Sequence, residues 1–247
     1  MQRVKINPNA KLTRIELEYR IEPEIRQFCG SIFFTKSLKT PIDNITANGS
    51  FGLVDTGNKK LLVTCYHVWD GFQKARLENP DLMMCLFLDK GLPIPFSPDK
   101  PIGEDRKLDL VTFDLESLLE ACNNRKFYLL NQNPAPRAKK GDVLAFIGFP
   151  GNKRIVFDDA LGIGRAPYAI VCCSSDGLRF QSDVSKVRTQ PPQPNQFDGI
   201  SGCPCFLVRG GRPIQLVGFA TGFWMNLLFF TSARCLNLDG TIDTQAG

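Results

Sequence analysis

His67 is the single histidine in 247 residues, and Ser201 stands in the run Gly199-Ile200-Ser201-Gly202-Cys203-Pro204. A serine hydroxyl becomes a nucleophile near neutral pH when a base takes its proton, and imidazole is the usual base. If Ser201 attacks, the sequence offers one imidazole to activate it. The surroundings suit both residues. His67 closes the apolar run Leu61-Leu62-Val63-Thr64-Cys65-Tyr66, and Ser201 lies between a polar loop and the apolar run that starts at Pro204. An acid would orient the imidazole and stabilise its protonated form. Asp109, within Leu108-Asp109-Leu110-Val111-Thr112-Phe113, is the candidate. A carboxylate in a strand-like apolar stretch is costly without a partner. Asp114 lies in the same run and is the alternative. The order His, Asp, Ser is one of three unrelated chain orders that build such a triad.

Short apolar runs rich in β-branched and aromatic residues must position these groups. They fall at 31–35, 50–54, 60–66, 83–88, 108–113, 142–149, 155–158, 161–173, 178–181, 204–208, 214–220 and 227–231. Gly, Asn and Pro punctuate them, which predicts an all-β fold. Asp55-Thr56-Gly57-Asn58 and Arg209-Gly210-Gly211-Arg212 read as hairpin turns. Two short helices are expected, at 68–77 and 115–121. The stretch 128–140, with Pro134 and Pro136, reads as the linker between two halves. Ile15, Leu17, Tyr19 and Ile21 alternate with charged residues, which predicts an amphipathic N-terminal strand.

Composition narrows the class. Hydrophobic residues make up 43% and charged residues 22%, and 19 phenylalanines supply bulky core material. That balance reads as a globular, water-soluble chain. No apolar run reaches the roughly 18–20 residues that span a bilayer, and no signal peptide is visible at the N-terminus. The net charge of +5 is mild and scattered, without a nucleic-acid-binding motif. The nine cysteines are odd in number and irregularly spaced. A reducing, cytoplasmic setting is the simpler reading. Cys203 and Cys205, with Cys172 and Cys173, could suggest zinc, but thiols at strand spacing read better as small buried apolar groups.

Several motifs together resemble the trypsin-like serine proteases. They are Thr64-Cys65-Tyr66-His67-Val68, Asp109-Leu110-Val111, the Gly199 to Pro204 motif, and Leu216-Val217-Gly218-Phe219-Ala220-Thr221-Gly222. Gly141-Asp142-Val143 and Ile147-Gly148-Phe149-Pro150-Gly151 resemble the start of the second barrel in bacterial, cytoplasmic members. The resemblance implies two antiparallel six-stranded β-barrels with the active site between them. An N-terminal extension would cover 1–26, the first barrel 27–131 with His67 and Asp109, and the second barrel 132–247 with Ser201. The match to the family's Asp-Leu pattern favours Asp109 over Asp114. It implies a serine endopeptidase that works through an acyl-enzyme on Ser201, with no metal and no cofactor. The amides of Gly199 and Ser201 would form the oxyanion hole. Gly199 has no side chain to keep the two donors apart.

By the same resemblance, Thr221, Gly222 and Phe223 would pair with the substrate backbone as an added strand. Asn195 would lie near the floor of the specificity pocket. The expected partners are peptide or protein substrates and, as a regulator, a protein that gates the site; nucleic acid and membrane are not expected. One departure bears on mechanism. Trypsin has an acid directly before the serine, which receives the freed N-terminus on activation, whereas here that residue is Ile200. The site should therefore form without propeptide cleavage. The rival from another class is a catalytically silent module of the same fold that grips extended peptides. Other protease readings fit less well. Asp55-Thr56-Gly57 occurs once, whereas an aspartic protease needs two such aspartates. A subtilisin or an α/β-hydrolase would need other neighbours around Ser201.

Overall fold

The computed structural model describes residues 12–38, 48–88, 93–98, 100–122, 125–149, 154–157, 160–163, 165–184, 197–210 and 212–245. The chain opens with a helical stretch, not the predicted strand: α-helical Arg14–Glu16, a π-helical turn Leu17–Ile21, α-helical Glu22–Ile25 and a 3-10 turn Arg26–Phe28. Its start is a reciprocal capping box. Thr13 Oγ1 accepts from the Glu16 amide at 3.1 Å, and Glu16 Oε2 accepts from the Thr13 amide at 3.0 Å. Alternation loses here to the spacing of Leu17, Ile21 and Ile25. These three recur every fourth residue, share one helical face and are buried. Ile15 and Tyr19 are left 70% and 79% exposed.

The first half is an eight-stranded sheet in the order β5-β4-β1-β2-β3-β7-β6, with β8 added parallel to β2. Its strands are β1 (Cys29–Thr35), β2 (Asn48–Asp55), β3 (Lys60–Thr64), β4 (Met83–Phe87), β5 (Ile94–Phe96), β6 (Gly103–Asp105), β7 (Leu110–Asp114) and β8 (Tyr128–Leu129). The β2–β3 hairpin turns through Gly57 at φ +93°, as the Asp-Thr-Gly-Asn signal requires. Strands β5, β6 and β8 are too short to stand out by alternation. The helix expected at 68–77 spans Tyr66–Glu78, and only a 3-10 turn, Glu116–Leu118, forms at 115–121.

In the second half, β9 (Val143–Gly148), β12 (Ala166–Ser175), β13 (Arg179–Asp183), β14 (Pro204–Leu207), β15 (Gln215–Trp224) and β16 (Leu227–Ser232) close an antiparallel barrel in the order β12-β13-β16-β15-β14-β9. The run 161–173 is two strands, because β11 (Ala160–Ile163) pairs with β10 (Arg154–Phe157) as a separate hairpin. Trp224 and Leu227 close the β15–β16 hairpin across Met225 and Asn226, both at positive φ (47° and 66°). That is the backbone a two-residue primed turn demands.

Among the described residues there are three large apolar cores and a small fourth cluster of Phe33, Cys85 and Phe87. One fills the first half, with Phe51, Phe113, Trp69 and Phe72, and one fills the barrel, with Phe146, Phe180 and Phe230. The third lies between the halves and joins Val63 and Leu110 to Ile147, Phe206 and Phe219. Leu17, Ile21 and Ile25 of the N-terminal stretch pack into this shared core. No helix among the described residues is long and apolar enough to cross a membrane.

Candidate active site

His67 sits in the first turn of the helix Tyr66–Glu78. Strand β3 delivers it there. Val68, Trp69 and Phe72 of this helix are buried in the first core, which fixes the helix and leaves the His67 side chain 52% exposed. Asp109 faces it from the residue just before β7. Its two carboxylate oxygens serve the same histidine. Oδ1 accepts from the His67 backbone N–H at 2.9 Å, and Oδ2 lies 2.7 Å from Nδ1. A carboxylate only accepts, so Nδ1 is the donor in this bond. Asp109 is not in the strand, as its run suggested, but has φ +54°. Few residues other than glycine tolerate this left-handed backbone, and aspartate is one of them. The reversal turns its carboxylate back towards the helix start. Its carbonyl accepts from the Tyr66 amide at 3.2 Å, and the Leu108 carbonyl accepts from Thr231 Oγ1 at 2.6 Å. Asp114 goes elsewhere, to Lys59 Nζ at 2.6 Å.

Ser201 lies in a tight loop before β14. Gly199 and Gly202 hold it, at φ +88° and +92°. The loop is seated on the first half through Ser50 of β2. The Ser50 amide donates to Ser201 O at 2.7 Å, and Ser50 Oγ donates to Gly199 O at 2.7 Å. Thr64, three residues before His67, donates its hydroxyl to Ser50 O at 2.7 Å. A methyl at Gly49 would lie 2.9 Å from Val68 Cγ2 and 3.4 Å from Ser201 O, so the serine and the residue after His67 flank one glycine. Ser201 Oγ makes no hydrogen bond with the described residues, and the Gly199 and Ser201 amides donate to none of them. Catalytic hydrogen bonds are often loose in a site without substrate. Ile200 is buried against Gly148 in the barrel core.

Thr221, Gly222 and Phe223 lie on β15, which carries a register break between Ala220 and Gly222. They share a cavity of about 300 Å³ with Leu108, Asp109 and Arg179. The Phe223 ring packs against Phe197, with centroids 4.9 Å apart. Asn195 lies outside the described residues. Ser50, Thr64 and Arg179 escape sequence reasoning. The one trace of the first two is a hydroxyl buried inside an apolar strand.

Among the described residues, one group of side chains comes close enough to share a metal: Cys65, His67 and Asp109, with ligand atoms within 4.8 Å of one another. Their chemistry argues against it. Asp109 Oδ2 and Nδ1 are already bonded to each other, Oδ1 accepts from the His67 amide, and the Cys65 thiol donates to Ala220 O at 3.2 Å. Burial, aided by the nearby Asp109 charge, holds Cys65 well above the ordinary thiol range, so no thiolate is ready to ligate. Cys203 and Cys205 are pushed up by burial in the same way.

No family model matches the sequence, and no curated protein matches it. Solved structures do match. The Rv3671c protease in its inactive form aligns over 92% of this chain and 94% of its own, at 14% identity and a TM-score of 0.53. A serine-to-alanine mutant of Rv3671c from M. tuberculosis H37Rv, also inactive, aligns over 92% and 93%, at 14% identity and a TM-score of 0.50. Deg5 aligns over 86% and 88%, at 16% identity and a TM-score of 0.48. At such identities the likeness speaks for architecture. With the closed barrel and the sheet beside it, it gives this chain the two-barrel fold of the trypsin-like serine proteases.

Proposed function

We propose that the protein is a serine endopeptidase. Its first barrel would span 27–131 and its second 132–247. Ser201 is the nucleophile, His67 the general base and Asp109 the acid that orients it. The observation that carries this reading is the double grip of Asp109 on His67, through the backbone amide and Nδ1. With Nδ1 donating to Asp109, a neutral His67 offers Nε2 as the base. Ser201 Oγ attacks the peptide carbonyl as Nε2 takes its proton. The amides of Gly199 and Ser201 receive the oxyanion, and the imidazolium returns the proton to the leaving amine. Thr221 to Phe223 hold the substrate backbone as an added strand. Burial of Ile200 supports a site that forms without an acid meeting a freed N-terminus.

The unengaged Ser201 hydroxyl favours one rival, a silent peptide-binding module of this fold. Fluorophosphonate labelling separates the two. The enzyme labels at Ser201, and the label is lost in a folded Ser201→Ala variant. An intact protein that stays unlabelled across pH 6–9 is the binder.

A further inference from the structure

We infer that the cavity beside Asp109 takes an acidic side chain of the bound peptide, with Arg179 as the residue that selects it. This rests on the reading of the site as a cleft that binds extended peptides. Among the described residues, two charged ones line the cavity, Asp109 and Arg179. Asp109 has both oxygens committed to His67. Arg179 is different. Its backbone N–H donates to Asp176 Oδ1 at 2.7 Å, but its exposed guanidinium meets no carboxylate among the described residues. The lining therefore offers one uncommitted charge, and that charge is positive.

The remaining wall is apolar. Leu108, Phe223, Trp224 and Phe229 contribute to it. Trp224 is 63% exposed, so this wall faces open solvent until something covers it. A glutamate side chain fits both parts. Its methylenes pack on the rings, and its acceptor-only tip matches the guanidinium fork. Partial exclusion of water by the rings strengthens that pair over one on an open surface. A lysine at the same place would meet Arg179 as a like charge. Because Thr221 to Phe223 border the same cavity, a peptide paired along them turns alternate side chains into it.

Binding measured on Ser201→Ala, which cannot cleave, tests this directly. The probes are fluorescein-labelled decapeptide libraries in which one position at a time is fixed as Glu, Gln or Lys, read by anisotropy. At one position Glu should bind about fivefold tighter than Gln, the upper range for a solvent-accessible pair, and Lys should bind weaker than Gln. The Glu preference should shrink as salt rises. In Ser201→Ala/Arg179→Met, which keeps the apolar stem, the Glu/Gln ratio should fall to one. In Ser201→Ala/Arg179→Glu the order of Glu and Lys should invert. Urea midpoints identify whichever double variant is folded, and either one decides the outcome. Absence of a Glu preference at every position, or its survival in a folded Arg179 variant, overturns the inference. Fluorophosphonate labelling of the unsubstituted protein is scored separately. Labelling without a Glu preference defeats only the cavity assignment, and a Glu preference without labelling defeats only the protease reading.

Discussion

Gly202→Ala tests the seat of the serine loop. The new methyl would lie 2.2 Å from Ser50 O and 2.5 Å from Thr64 Oγ1, where ordinary contact begins at 3.4 Å. The Ser50 carbonyl would have to retreat by more than an ångström, against strand pairing that holds β2 between β1 and β3. Position 202 also has φ +92°, a backbone that costs a residue with a side chain about 1–3 kcal/mol. Overpacking adds about 1–3 kcal/mol. The expected loss is about 2–6 kcal/mol, a large share of the ~5–15 kcal/mol that keeps a domain folded. It falls on the bonds that join Ser50 to Ser201 and Thr64, so labelling at Ser201 should slow as stability drops. The assay is urea unfolding with an unchanged m value, alongside the fluorophosphonate labelling rate. Gly71→Ala is the control of opposite sign. It lies in the helix Tyr66–Glu78 with open space around it, and should gain about 0.5–1 kcal/mol. A Gly202→Ala protein within about 0.5 kcal/mol of the parent, labelled at the parent rate, would refute the account.

Asp109→Asn should keep the fold, because asparagine also tolerates the left-handed backbone. It should cut the labelling rate by about 10⁴, because an amide can donate to Nδ1 and fix the wrong tautomer. Leu17→Ala should cost about 2–5 kcal/mol in urea unfolding, while Ile15→Ala should stay within about 0.5 kcal/mol; equal losses would restore the alternating strand. Burial works against ionisation of Asp114, but hydrogen bonds from Lys59 and the Glu116 amide outweigh it and hold its carboxyl below the usual range. A lowered pKa in the folded state stabilises above the unfolded value and is lost as pH falls through the folded one. Asp114→Asn should therefore cost less than about 1 kcal/mol at pH 7, and its urea midpoint should converge on the parent's as the solution is acidified.

Much of the architecture is readable before any coordinates. Each of the apolar runs holds a strand, or parts of two at 161–173, because alternation and turn residues are local signals that tertiary packing reinforced. Local signals misled at 115–121 and 161–173, and more tellingly at the N-terminal stretch and at Asp109. Residues 15–21 satisfy both a two-residue and a four-residue repeat, and the Thr13–Glu16 capping pair, which could have decided between them, is easily passed over. Asp109 looked like a strand residue because a left-handed turn leaves no mark in hydrophobicity. The meeting of His67 with Asp109 was expected from residue type and order together with the resemblance of Asp109-Leu110-Val111 to the family's pattern, which favoured it over Asp114. The seat of Ser201 was not, since Ser50 and Gly199 are 149 positions apart and nothing local links them. Arg179 likewise gains meaning only from the folding of β13 beside the Asp109 turn.

Ser50 grips the loop from the other half of the molecule with its amide and its hydroxyl, while its carbonyl holds Thr64. Ser201 is thus anchored by a residue translated long before it. A C-terminal barrel synthesised alone would carry its serine on an unmoored turn. Docking of the two halves is then the event that seats the loop, because its bonds reach across from β2.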